Sequence, residues 1–396
     1  MPSIEPFKAL RYNPKKVGSL SRVVTPPYDV ISPEGRRAYY KAHPQNFIRV
    51  VFGKSRDPYS EARSSLQRWV RSGVLMRDKE AGLYPYEQEY RVKGKIHRRV
   101  GLIALVRLDS RIYPHERIFG GPKQDRLQLM RKVNASLDPI FGLVPDSGEG
   151  YRRLVRAVCR NQKPVAAFRF QGVRHRLWRV TDPSWIRKFR QALRAKDLII
   201  ADGHHRFEAA RAFRQERKEK DLSYRSDAPY NFVMFYLSAV GTEEPGLLPT
   251  HRLVKVPTAL LKQLKGERIP SKGLLVRRLR SLREHGSLGI GLYTGNGAGT
   301  LLRPGPKSGF ELDVEWLQQQ ILGKQLGVSA QVSYTQDLDA AYAKVRSGEA
   351  QAVFVMQPPR LKDVLRRARA GRRMPRKTTY FYPKLVSGLV GFPFGE

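Results

Sequence analysis

Apolar and polar positions recur along the chain with two different periods, and the mixture predicts an α+β fold. Leu198-Ile199-Ile200-Ala201 is a short apolar run of the kind that forms a buried strand. Phe207, Ala210, Ala212 and Phe213 follow at helical spacing, so the polar residues between the two must make a tight turn and a helix start. Upstream, Ser32-Pro33-Glu34 has the cap and first-turn proline of a helix, and Ala62, Leu66, Trp69 and Val70 mark another that ends near Ser72-Gly73. Asn46–Phe52 alternates as a strand. Residues 83–108 predict a hairpin, with Tyr84, Tyr86 and Tyr90 on one arm, a Lys93-Gly94-Lys95 turn, and Val100–Val106 returning. Strands at 112–113, 139–144, 166–170, 177–180 and 231–240 alternate with helices at 123–134 and 184–194. Glu216–Asp227 is highly charged and reads as an exposed connection. Beyond about 256 the pattern gives helix, hairpin, helix, strand and helix, including a helix over 335–347 and a strand over Ala352–Met356. Thr294–Gly299 is glycine-rich, but no Gly-Lys-Ser/Thr follows, which favours a hairpin turn over a phosphate loop.

Length and composition bound the possibilities. A chain of 396 residues with 41% hydrophobic content can fill two or three domains. No run reaches the roughly 18 apolar residues that a membrane span needs. The opening Met1-Pro2-Ser3-Ile4 has no basic-then-apolar pattern, so a cytoplasmic location without membrane association is expected. The single Cys159 excludes an internal disulfide and a cysteine-rich zinc site, and is expected to be structural. The formal charge of +39 raises a nucleic-acid partner as an alternative. That charge is spread along the chain, however, and no helix-turn-helix or aromatic RNA-binding pattern accompanies it.

The polar turn is where chemistry concentrates. Asp202, Gly203, His204, His205 and Arg206 bring a carboxylate, a flexible backbone position, two imidazoles and a guanidinium to a helix N-terminus, whose N–H groups and dipole favour anions. Singly, each has a plain structural role: Asp202 as a helix cap, Gly203 as a positive-φ residue, the others as a solvated first turn. Together they read as an anion site. Three further groups are candidates: Asp29 after the rigid Pro26-Pro27-Tyr28, His115-Glu116 at a strand exit, and Thr250-His251-Arg252 at another strand end. Adjacent histidines diverge and suit zinc poorly, which weighs against a metal hydrolase built on His204 and His205.

Pro26–Ser32, His115-Glu116, Lys123-Gln124-Asp125-Arg126, Ala201–Arg206, Leu248–Arg252 and Met374–Lys384 resemble, in order and nearly end to end, the bacterial and archaeal family called domain of unknown function 1015. Ile118 stands where that pattern expects Thr, and Thr378 where it expects Ser. The middle of the chain is also similar to the fold shared by ParB proteins, sulfiredoxin and free serine kinases. That resemblance implies a ParB/sulfiredoxin-like nucleotide-binding core over 99–255, with α+β regions at 1–98 and 256–396 packed around it. It further implies that Gly203-x-x-Arg206 holds nucleotide phosphates and that Asp202-Gly203-His204 and Glu116 serve phosphoryl transfer.

The expected function is a nucleotide-dependent phosphotransferase or phosphohydrolase acting on a small hydroxylated metabolite, with serine suggested by analogy. A nucleotide-gated nucleic-acid-binding protein of ParB type is the alternative. The expected cofactors are Mg²⁺ and a nucleoside di- or triphosphate. Glu116 would be the general base, Asp202 would hold Mg²⁺ or the acceptor hydroxyl, and His204 would join them in catalysis. Gly203, His205, Arg206, His115 and Arg252 would bind phosphate, and Asp29, Thr250 and His251 would line the substrate pocket.

Overall fold

The computed structural model describes residues 4–92, 94–118, 120–221, 223–240, 246–295, 297–305, 308–327 and 331–395. Met1, Lys93 of the hairpin turn and Asn296 of the glycine-rich turn lie outside the described residues. The fold is α+β, with a large mixed sheet. The chain forms two compact units: one takes Met1–Pro114, Ile118–Pro245 and Pro383–Glu396, the other His115–Arg117 and Gly246–Tyr382. The two therefore interleave along the sequence.

The larger unit is built on a nine-stranded sheet. Its strands are β1 (Ile4–Glu5), β2 (Tyr84–Val92), β3 (Lys95–Arg107), β4 (Ile112–Tyr113), β5 (Ile140–Pro145), β6 (Ala166–Phe170), β7 (Val173–Leu177), β8 (Leu198–Asp202) and β9 (Phe232–Val240). They run in the order β4-β8-β5-β9-β3-β2-β7-β6, with β1 added beside β3. The pairs β4/β8 and β5/β9 are parallel and the others antiparallel. Strand β9 is buried at every position, as its unbroken apolar run requires of a central strand. Helices α1 (Pro58–Arg71), α2 (Gly120–Val133), α3 (Gly150–Asn161), α4 (Pro183–Leu193) and α5 (His204–Lys220) belong to this unit. Tyr151, Val155, Phe189, Leu198, Ile200, Phe207 and Phe213 join Phe235 and Leu237 in its main core.

Two local expectations are corrected. Asn46–Phe52 does not form a strand; Ile48–Val51 is a short helix, started by the Asn46 side chain, which accepts the Ile48 N–H at 3.0 Å. Ile48, Val50 and Val51 are all buried, so packing overrides their β propensity. Helix α5 also runs to Lys220, through residues expected to be a connection. Its charged face is partly tied to α2, where Arg131 Nε donates to Glu216 at 2.9 Å. Cys159 is half-buried and burial pushes its thiol up to about 12, in keeping with a structural role.

The smaller unit has a six-stranded antiparallel sheet of β10 (His251–Val254), β11 (Glu267–Ile269), β12 (Ile290–Tyr293), β13 (Gly299–Leu302), β14 (Val332–Thr335) and β15 (Ala352–Val355), ordered β11-β13-β12-β15-β10-β14. Helices α6 (Lys272–Glu284), α7 (Leu338–Arg346) and α8 (Leu361–Arg369) belong to it. Among its described apolar residues, one cluster lies around Leu317, Phe354 and Val364 and another around Leu275, Tyr293 and Val353. Among the described residues, no helix is long and apolar enough to cross a membrane.

Candidate functional site

The expected strand, turn and helix are present: β8 ends at Asp202, Gly203 takes the cap position, and α5 begins at His204. The β8–β5 register shifts between Ile200 and Asp202, an irregularity that re-aims the last residue of the strand. Gly203 has φ +93°, and a Cβ there would sit 2.9 Å from Arg206 Nη2. The left-handed backbone therefore favours glycine here, and the guanidinium folded back over the turn lies close against it. As cap, Gly203 brings no side-chain acceptor to the first-turn N–H groups.

Asp202 is not the helix cap. Its Oδ1 accepts Lys384 Nζ at 2.5 Å, and its Oδ2 accepts Arg206 Nη2 at 3.2 Å. Burial works against ionisation of this carboxyl, but Lys384, then Arg206, and more weakly His204 outweigh it and hold it far below the ordinary carboxylate range. Lys384 was not predicted as a site residue. It arrives from the far end of the sequence because the segment around it is pinned to the sheet: Gln88 donates to the Lys384 carbonyl at 2.9 Å, and Arg99 donates to that of Pro383.

Arg206 links this pair to a small cavity. Its Nη1 donates to the Pro139 carbonyl at 2.5 Å, and its side chain lines a space of about 30 Å³ together with Arg126, Ser136 and Asp138. That is room for a water or a small polar group. Asp138 is the second residue missed in the sequence. Burial raises its carboxyl above the ordinary range, against the opposing pull of Arg206, Ser387 and Arg126, while Asp29 pushes the same way as burial. Its Oδ1 is buried without a hydrogen-bond partner. Arg126 lies over the Tyr28 ring, 3.8 Å from its centroid, and donates to the Val51 carbonyl at 3.1 Å.

The sequence-predicted residues fall into two groups. Asp202, Gly203, His204, His205 and Arg206 form the turn, and Asp29 lies exposed where its charge still reaches Asp138. His204 is buried and His205 half-buried. His115, Glu116, Thr250, His251 and Arg252 belong to the smaller unit. There Glu116 Oε1 accepts the Lys377 N–H at 3.2 Å, and His115 Nε2 lies 3.0 Å from Thr379 Oγ1. His251 Nδ1 accepts the Met356 N–H at 3.1 Å, and burial, aided by Arg252, lowers the imidazole to about 4, so it is neutral. Thr250 Oγ1 is buried without a partner.

The donors do not fit a protein-held Mg²⁺. Asp202, the expected ligand, has both oxygens taken by cations, and among the described residues no three His, Cys, Asp or Glu side chains cluster as a metal site.

The family model for a protein of unknown function (DUF1015) matches residues 4–329. No curated protein matches the chain. Among solved structures, the chain is similar to a free serine kinase in complex with AMP, at 13% identity over 70% of this chain and 86% of that one, with a TM-score of 0.37. It is similar to a conserved hypothetical protein from Pyrococcus furiosus, at 14% identity over 70% and 89%, with a TM-score of 0.35. A third likeness is to SbnI with a C-terminal truncation from Staphylococcus aureus, at 11% identity over 74% and 87%, with a TM-score of 0.40.

Proposed function

The chain belongs to the DUF1015 family of proteins of unknown function, and from that premise we propose that the larger unit binds the phosphates of a nucleoside di- or triphosphate and passes the terminal phosphoryl group to the hydroxyl of a small metabolite, or to water. The observation that carries this reading is the Asp202–Arg206 turn with Lys384: two cations held in place by one carboxylate, beside a helix start whose cap residue is glycine. Asp202 pre-organises the cations. Incoming phosphate oxygens share Arg206 and Lys384 with it, while the first-turn N–H groups of α5 and the imidazoles of His204 and His205 supply further donors.

The proton of the acceptor hydroxyl needs a carboxylate less firmly ionised than Asp202. Asp138 meets that need, being raised by burial, having one oxygen without a partner, and facing the same cavity as Arg206. As the acceptor oxygen bonds to phosphorus, its proton passes to Asp138. The bond from phosphorus to the bridging oxygen breaks, and the nucleotide product keeps that electron pair, with its charge met by Arg206 and Lys384. No step is routed through a metal held by the protein.

The test is product formation from ATP and from ADP with a panel of hydroxylated metabolites that includes serine, followed by ³¹P NMR. Asp138→Asn is expected to slow turnover by about 100-fold. Turnover equal to wild type in Asp138→Asn, with loss in Glu116→Gln, would move the base role to Glu116. Failure of every nucleotide to turn over with any acceptor or with water would remove the phosphotransfer reading.

A further inference from the structure

Arg252 is 4% exposed at the start of β10. Its guanidinium donates to the Thr250 carbonyl and, at 3.1 Å, to the Lys377 carbonyl. Among the described residues no carboxylate forms an ion pair with it. A buried guanidinium is ordinarily matched by a carboxylate, since its desolvation is otherwise poorly offset. The environment registers the mismatch: burial brings Arg252 down to about 10, with only the more distant Tyr334 and Glu116 pulling it back.

The same side chain lines a cavity of about 50 Å³ in the smaller unit. Arg283 lines it too, donating to the carbonyls of Pro358 at 2.7 Å and Pro359 at 3.4 Å. Three carboxyls also line it. Glu311 is paired with Arg367 and Arg372, and Asp363 with Arg360. Asp313 Oδ1 instead accepts the Gly289 N–H at 2.7 Å, and burial raises its carboxyl to about 7. Leu312 and Met356 give the cavity an apolar side.

We propose that this cavity is a ligand site for a small organic carboxylate, with Arg252 and Arg283 as its anion-binding groups and Leu312 and Met356 against its carbon chain. Planar guanidinium groups match a carboxylate in two-pronged geometry. Asp313 in its protonated form donates to an oxygen of the same ligand. A cavity of this size holds a few heavy atoms, which sets the ligand at roughly two to four carbons. A phosphate dianion fits less well, because it brings a second negative charge against Asp313. The site draws only on residues of the smaller unit and does not depend on the phosphotransfer reading.

Isothermal titration of the full chain with propionate, butyrate and inorganic phosphate, each alone, tests this. Wild type is expected to bind propionate or butyrate saturably at one site. Arg252→Lys, which keeps the charge but loses the fork, should weaken that binding about tenfold or more. Because Arg252 is buried, a second variant is needed: Ser287→Trp fills the cavity from a partly exposed position, and should weaken binding to the same extent with an unchanged circular dichroism spectrum. Absence of carboxylate binding by wild type overturns the proposal. So does binding of phosphate alone, or wild-type carboxylate affinity in folded Ser287→Trp.

Discussion

The turn at Asp202–Arg206 and the strand start at Thr250–Arg252 look alike in sequence, each grouping histidine, arginine and a polar residue where a strand meets a turn. Folded, they are opposites. In the larger unit a carboxylate is bracketed by two cations, 2.5 Å and 3.2 Å away. In the smaller unit a cation is buried among backbone carbonyls, and the neighbouring histidine is spent on the Met356 N–H. The first arrangement concentrates positive charge beside a helix start and holds it ready for phosphate. The second leaves a guanidinium short of a counter-charge, which suits a ligand that brings one. Thus the overall +39 is less informative about function than the way individual charges are matched.

Substitutions that neutralise one charge at a time should separate the two arrangements. Asp202→Asn has the largest expected effect on stability. It leaves Arg206 and Lys384 facing each other without their carboxylate, and should cost about 2 kcal/mol in urea unfolding at pH 7. The cost is smaller than for a fully buried pair because the Asp202 side chain is 21% exposed. The sign of the pH dependence follows from the depressed carboxyl. Its stabilisation is complete above the unfolded value of about 3.9 and is lost only as pH falls through the lower folded value, so the gap between wild type and variant should close in acid.

The raised carboxyls should behave in the opposite way and more weakly. Asp138→Asn is expected to gain about 1 kcal/mol at pH 7 while losing turnover, as happens when a site is kept strained for chemistry. Asp313→Asn should also gain stability over wild type. Protonated Asp313 favours the native state below the unfolded value of about 3.9, and that contribution is lost as pH rises through the folded value of about 7. The advantage of the variant should therefore open above about pH 4 and level off above about 7, as thermal melts across that range would record. A stability loss at pH 7 in either variant would contradict the assigned environments.

Much of the sheet was legible from periodicity. The runs at 140–145, 198–202 and 232–240 are strands because they are short, apolar and bounded by polar turns. The strand, turn and helix around Gly203 followed from the same pattern, and its glycine from the positive φ that a tight turn requires. Residues 46–52 were misread because alternation and β-branching are also what a one-turn helix buried on most sides shows. Two residues that complete the turn carried no local signal. Lys384 meets Asp202 across 182 positions of sequence, through a C-terminal segment threaded back along the sheet. Asp138 is a single acid before a proline, and its raised carboxyl exists only because the fold buries it beside Arg206 and Arg126. Burial and long-range ion pairing belong to the tertiary structure, and neither has a period to detect.

In the proposed function, Arg206 and Lys384 are held ready for phosphate. Equilibrium binding of ADP to wild type and to Arg206→Met and Lys384→Met, with folding checked in each, addresses it directly. Wild type is expected to bind saturably, with a loss of about tenfold or more in either variant. Wild-type affinity in both folded variants, or no ADP binding by the wild-type protein, would contradict it.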